Sequence, residues 1–219
     1  MKLRPLAGIP DPGSVKNIIF DFGGVICDLD IERTKEKFVA FGPPKEPSAV
    51  SPGESDKAFN QLVEMLESGQ IPPAFFRETI RNHYLSAPSD EQIDDAWNAL
   101  LLDIPPARIR LLETIRDRYR IFLLSNSNQI HYECYSSRFS QVFGYLDFDA
   151  LFEKAWFSYR IRMKKPDREI FEFVLADKGL DPAETLFIDD TLMHVQAAQA
   201  IGIQGYHLVP GVDITDLFS

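Results

Sequence analysis

The sequence has almost no cysteine. Cys27 and Cys134 are the only pair in 219 residues, each inside or near an apolar segment. No disulfide framework can be built from two residues. The expectation is two buried thiols in a reducing compartment, with a single disulfide as the alternative. Long apolar runs are missing too, and no segment approaches the roughly 18 residues of a membrane span. Lys2 and Arg4 stand near the start, but no apolar leader core follows them. No secretory signal is therefore expected, and a cytoplasmic location is. Positive charge is scarce: 23 Lys and Arg face 33 Asp and Glu, a formal net charge of −10. That balance argues against nucleic acid or an anionic membrane as a partner. An anionic substrate would have to be met by a metal or a few local lysines.

What is present is ordinary for a soluble globular protein, with 45% hydrophobic and 26% charged residues. The length suits one large domain, or a core with a smaller inserted one. The stretch around which the chain is organised is Ile18-Ile19-Phe20-Asp21-Phe22-Gly23-Gly24-Val25-Ile26. A continuous apolar run bounded by turn residues reads as a strand buried on both faces, the pattern of a parallel sheet. Asp21 then stands at the strand's carboxyl end, where open α/β sheets bind ligands.

Residues 1–14 read as a surface tail. Residues 28–103 read as a helical insertion, with a Pro/Gly-rich loop at 41–53. Phe59, Leu62, Val63 and Leu66 share one helix face that stops near Gly69. Phe75, Phe76 and Ile80 begin another helix, and Ser89 with Gln92 forms a capping box for the helix carrying Ile93 and Trp97. Residues 15–27 and 104–219 read as one discontinuous α/β core. A helix over 108–118 leads to the apolar run Ile121–Leu124, which ends at Ser125-Asn126. A short strand is expected at 154–157. Lys165-Pro166 is read as opening a helix, with proline at the first helical position and Gly179 as its stop. Leu186-Phe187-Ile188 runs into Asp189-Asp190, a helix spans 194–200, and a last strand spans 204–209. Strand–helix alternation implies a Rossmann-like parallel sheet with helices on both faces.

Parallel strand ends point the same way, so Asp21, Ser125-Asn126 and Asp189-Asp190 are expected to converge, with Lys165 beside them. Each residue also has a plainer reading, as a turn, a helix cap or an exposed lysine. The ordered set fits phosphoryl transfer. Asp21 and Asp190 would hold Mg²⁺, a hard cation that takes oxygen ligands, with the Gly23 carbonyl as a further oxygen. The Ser125 hydroxyl and the Asn126 N–H would bind phosphate oxygens, Lys165 would neutralise charge, and Asp21 would attack phosphorus. Asp28 and Asp30 are read as caps of the first inserted helix, with a part in the cleft as the alternative. Phe41, Tyr84 and Trp97 are read as core of the insertion, with the pocket wall as the alternative. His131 and Tyr132 are read as surface packing, with the site entrance as the alternative.

In Asp21-Phe-Gly-Gly-Val, the strand ending at Ser125-Asn126, Lys165-Pro166-Asp167 and Phe187-Ile-Asp-Asp, the chain resembles the haloacid dehalogenase superfamily, motif by motif and in order. The insertion resembles its helical cap of the C1 type. Glu67-Ser-Gly-Gln-Ile and Leu124-Ser-Asn-Ser-Asn-Gln-Ile-His131 are similar to the bacterial α-D-glucose-1-phosphate phosphatase branch. The resemblance implies a phosphatase for a small phosphorylated metabolite such as a hexose 1-phosphate. It implies Asp21 as nucleophile, Asp190 as direct metal ligand, and Asp189 as a ligand directly or through water. Two positions depart from the family pattern. Gly23 stands where most such phosphatases carry an acid–base aspartate, and His194 where many carry asparagine. The Gly23 gap motivates the alternative of a non-catalytic or slow relative that binds a phosphorylated ligand or a protein. His194 is read as bonding within its own loop or assisting proton transfer. A phospho-acceptor switch fits poorly, because its acidic pair would precede the lysine. A metal-free dehalogenase has no use for Asp189-Asp190.

Overall fold

Strands β1 (Asn17–Phe20), β2 (Arg120–Ser125), β3 (Lys154–Phe157), β4 (Thr185–Asp189) and β5 (Gln204–His207) form one parallel sheet in the order β3-β2-β1-β4-β5. They belong to a computed structural model that describes residues 1–5, 12–45, 52–145 and 148–219, with 52–56 described by backbone alone. Helices α1 (Ile31–Val39), α2 (Pro52–Glu67), α3 (Pro73–His83) and α4 (Asp90–Trp97) separate β1 from α5 (Pro106–Ile115) and β2. Then come α6 (Gln129–Phe143), α7 (Ser158–Ile161), α8 (Arg168–Lys178) and α9 (Leu192–Gln199).

The period of two along each strand divides its apolar residues between two cores. Ile18 and Phe20 face one side with Ile121, Leu123, Leu186 and Ile188, under α5 and α6. Ile19 faces the other side with Phe122, Leu124 and Phe187, under α8 and α9. Burial on both faces explains why these strands read as unbroken apolar runs.

The helices α1–α4 have an apolar cluster of their own, built on Phe38, Leu62, Leu66, Phe76, Ile80, Ile93 and Trp97 and joined by Ile130 of α6. Two of the predicted caps occur: Asp30 accepts from the Glu32 N–H at the start of α1, and Ser89 and Gln92 form the box at α4. Two chain segments stitch the helices to the sheet. Asp30 N–H donates to Leu100 O at 2.9 Å and Leu102 N–H to Asp28 O at 3.0 Å, around an antiparallel Leu29–Leu101 bridge.

Several expectations need correction. Pro166 does not open a helix: Lys165-Pro166 is a cis bond in a turn, and α8 starts at Arg168 behind Asp167. Asp28 caps nothing; it pairs with Arg108 at 2.7 Å, which also binds Asp213 at 2.8 Å. Leu3 is buried and bridges to Phe218, so this part of 1–14 is a packed edge and not a surface tail. Residues 6–11 of that stretch, and 46–51 of the loop read at 41–53, lie outside the described residues. Helix ends shift by a few residues: 106–115 in place of 108–118, and 192–199 in place of 194–200.

Candidate active site

Register does the first part of the work. Phe20 pairs with Leu123 on one side and Ile188 on the other, so the next residues, Asp21 and Asp189, stand side by side. The Asp21 N–H donates to Ile188 O at 2.9 Å, which holds Asp21 level with the end of β4.

Lys165 reaches between the two carboxylates. Its Nζ lies 2.7 Å from Asp21 Oδ1 and 2.6 Å from Asp189 Oδ2. Lys165 is 1% and Asp189 0% exposed, so these are desolvated contacts. A charge is held there only by its partners. The Lys165 backbone is clamped by Asn126, whose Nδ2 donates to Lys165 O and whose Oδ1 accepts from Lys165 N–H, both at 2.9 Å. The loop after β2 thereby sets the height of the lysine. Capping of α6 falls to Asn128, which accepts from His131 N–H. Ser125 and Asn126 are thus not the helix cap.

Asp189 is saturated by protein. Beside Lys165, its Oδ1 accepts from Thr191 N–H at 2.7 Å, and His194 Nδ1 lies 3.0 Å from its Oδ2. His194 therefore takes the first of its expected places, a bond inside its own loop, but to a site carboxylate. Asp190 stays exposed at the rim. A Cβ on Gly24, which has φ +71°, would lie 2.0 Å from Asp190 Oδ2, so only glycine lets this carboxylate lie against the first loop.

The charges do not balance among themselves. Asp21, Asp189 and Asp190 each offer an oxygen within 4.8 Å of the others, against the single ammonium of Lys165. Burial pushes the Asp21 carboxyl up to about 7, against the pull of Lys165 and with a further push from Asp189. Burial also raises Asp189, but Lys165 and the His194 hydrogen bond overcome it and hold Asp189 at about 2. Asp190 is raised by burial and then by Asp189. Burial pulls Lys165 down, and the two aspartates more than reverse it. Two carboxylates that resist ionisation beside a third call for a cation. An all-oxygen donor set fits a hard divalent ion. With Asp189 fully engaged, Asp21 and Asp190 are the carboxylates that keep an oxygen to offer it: Asp21 Oδ1 meets Lys165, and Asp190 Oδ1 accepts from Thr191 Oγ1 at 3.3 Å.

Beside these groups, bounded by the chain neighbours Phe22 and Gly23 of Asp21, opens a cleft of about 820 Å³ between the sheet and the inserted helices. Gly23, Ser125 and Asn126 line its floor, and Phe38, Phe59, Glu67 and Trp97 line the opposite side. A second hollow, of about 640 Å³, lies by Lys16, Arg118 and Arg120 at the amino ends of the strands. Ligands of parallel sheets bind at the carboxyl ends, which selects the first.

Three lining residues stand differently from their first sequence reading. Trp97 is core and cleft wall at once. His131 is buried against Trp97 and not packed on the surface, with ring centroids 4.8 Å apart at 17°. Glu67 was visible only inside a segment of family likeness, because the approach of α2 to the site is a tertiary event. Cys27 and Cys134 are both free thiols, the second only half-buried.

Comparison with known proteins places the chain in a family. The chain is 27% identical over 204 residues to the D-ribitol-5-phosphate phosphatase of Bacteroides thetaiotaomicron, covering 91% of this chain and 94% of that protein. A crystal structure of a HAD family enzyme from Bacteroides thetaiotaomicron, in complex with magnesium and inorganic phosphate, matches with TM-score 0.82 and 38% identity over 94% of this chain and 100% of that one. A shorter likeness, 47% over 58 residues, is to the sesquiterpene phosphatase AstK of Aspergillus oryzae and covers 26% of this chain and 30% of that protein. The family model for haloacid dehalogenase-like hydrolases matches residues 15–202, and the chain belongs to that family.

Proposed function

We propose that the protein is a Mg²⁺-dependent phosphomonoesterase that moves the phosphoryl group of a small phosphorylated metabolite, a sugar or polyol phosphate, first to Asp21 and then to water. The observation that carries this reading is the buried contact of Lys165 with Asp21 and Asp189 beside the rim-exposed carboxylate of Asp190. The arrangement gathers three carboxylates around one ammonium, a charge excess that a divalent cation and a phosphoryl group would use. Asp21, Asp190 and the Gly23 carbonyl would hold Mg²⁺, with Asp189 fixing Lys165; bound there, the ion neutralises phosphate charge.

The remaining roles fall to the chain itself. An Asp21 oxygen forms a bond to phosphorus as the ester P–O bond breaks. Lys165 offsets the charge that gathers near Asp21. The Asn126 side chain is engaged with the Lys165 backbone, which leaves the Asn126 N–H and the Ser125 hydroxyl to hold phosphate oxygens. Water then attacks the aspartyl phosphate and restores Asp21. The inserted helices act as a cap, contributing the cleft's far wall and restricting water.

The leading substrate class is supported by the full-length likeness to a polyol phosphate phosphatase. A second class is favoured by the cleft itself, whose walls include Phe22, Phe38, Phe59, Val63, Trp97 and Leu100. Such walls suit an alkyl or prenyl chain, and the short likeness to a sesquiterpene phosphatase points the same way. The test is phosphate release with Mg²⁺ from sugar, polyol and prenyl monophosphates, by wild type and Asp21→Asn. The variant is expected to lose on the order of 10³-fold or more in turnover. Equal release by both proteins would leave a ligand-binding relative as the better reading.

A further inference from the structure

Phosphoryl transfer through Asp21 leaves two proton movements without an owner. The departing alkoxide needs a proton, and the attacking water must lose one. Gly23, two residues beyond Asp21, has no side chain to serve. Asp189 is saturated, as described, and Asp190 faces the metal position.

Among the other titratable residues lining the cleft, Lys35 is exposed and paired with Glu32 at 2.6 Å. His131 is held neutral: its Nδ1 lies 2.9 Å from Asn98 Oδ1 and burial pushes it down to about 3. Glu67 remains. It ends α2 and lines the cleft together with Gly23, Ser125 and Asn126.

Its place is fixed by the sheet domain as much as by its own helix. The fully buried hydroxyl of Ser158, at the start of α7, donates to Glu67 O at 2.6 Å and accepts from Ser127 N–H at 3.0 Å. Two residues on, Gly69 turns with φ +66°, so close to α7 that a Cβ would lie 2.3 Å from Tyr159 O. Glu67 therefore cannot drift from the loop that carries Ser125.

We propose that Glu67 is the general acid and base of the reaction, supplied from the inserted helices in place of a group near Gly23. The assignment rests on the phosphomonoesterase reading. As the bond from Asp21 to phosphorus forms and the ester P–O bond breaks, the Glu67 carboxyl gives its proton to the departing oxygen and becomes a carboxylate. The carboxylate then takes a proton from water as its oxygen bonds to phosphorus. The phosphorus–Asp21 bond breaks, inorganic phosphate leaves, and Glu67 is protonated again. The surroundings favour the protonated form: burial raises Glu67 above the ordinary carboxyl value and Glu64 adds to it, against the pull of Lys164, His194 and Lys165.

The experiment is a kinetic comparison of wild type, Glu67→Gln and Glu67→Asp, all saturated with Mg²⁺, on p-nitrophenyl phosphate and on a simple alkyl phosphate. On the alkyl ester, Glu67→Gln should lose about 10²- to 10⁴-fold in kcat, because a poor leaving group needs the acid. On p-nitrophenyl phosphate it should show a rapid burst of one nitrophenol per site and then slow turnover, because the base step alone is impaired. Glu67→Asp should keep part of the activity and the acid limb of the pH profile. Adding Gly23→Asp to Glu67→Gln should restore alkyl phosphate turnover, since the new Cβ meets only the flexible end of Leu29. A uniform, small loss across both esters with no burst and an unchanged pH profile would overturn the assignment alone. A wild type that releases phosphate from neither ester, nor from the sugar, polyol and prenyl monophosphates, would overturn the phosphomonoesterase reading and this assignment with it.

Discussion

His131 is a single residue whose burial makes a measurable signature. It is 7% exposed, stacked on Trp97, and within hydrogen-bond distance of Asn98 Oδ1. Since Asn98 Oδ1 can only accept, His131 donates through Nδ1 and stays neutral. Burial lowers its folded pKa from 6.5 to about 3. Between those values the unfolded chain takes up a proton that the folded one refuses. Stability from this group is therefore complete above pH 6.5 and is lost as pH falls towards 3, at about 1.4 kcal/mol per pH unit. His131→Phe keeps an aromatic ring on Trp97 and removes the titration. Urea unfolding at pH 6.5 and pH 5 should show wild type losing about 2 kcal/mol more than the variant over that interval. Equal losses would mean that His131 is protonated in the fold. The sequence hid this because the partner, Trp97, lies on another helix.

At the scale of elements, the join between α2 and α7 controls how the inserted helices meet the sheet. Ser158 serves backbone groups of two segments far apart in the chain, Glu67 O and Ser127 N–H. Ser158→Ala strands both in a buried place, which should cost about 1–3 kcal/mol in urea unfolding and should raise KM as the cleft loosens. A loss near zero would mean that water replaces the hydroxyl. Elements defined by local chemistry were legible beforehand. Strand β3 occurs over the expected residues, Lys154–Phe157, because an apolar run between polar turns has few other uses. The boxes and caps at Asp30, Ser89 and Gly179 depend on residues within a turn of one another. The misread elements depend on distance. The turn at Lys165-Pro166 is fixed by Asn126, and Asp28 is drawn to Arg108, 80 residues on.

For the whole molecule, the sequence carried the convergence of Asp21, Lys165 and Asp189, because a parallel sheet brings its carboxyl ends to one rim whatever lies between them. It did not carry the aromatic walls of the cleft, which exist only once α1–α4 settle on the loops after β1 and β2. The same convergence sets a conflict between stability and function in a chain of net charge −10. Asp190 is raised by burial and by Asp189, so without a cation its charge is unfavourable to the fold. Asp190→Asn removes that repulsion and, on the present reading, a metal ligand. In chelator the variant should melt at or above the wild-type temperature. With Mg²⁺ at about 100 times its Kd, the wild type should gain about 2.7 kcal/mol, or roughly 5–10 °C for a chain of this size. The variant should gain little of that. Thermal melts of both proteins, with chelator and across a Mg²⁺ titration, separate the two effects. A full Mg²⁺ shift in Asp190→Asn would move the ion's position away from the rim of β4, and a lower melting point in chelator would mean that the carboxylate is already balanced by groups within the protein.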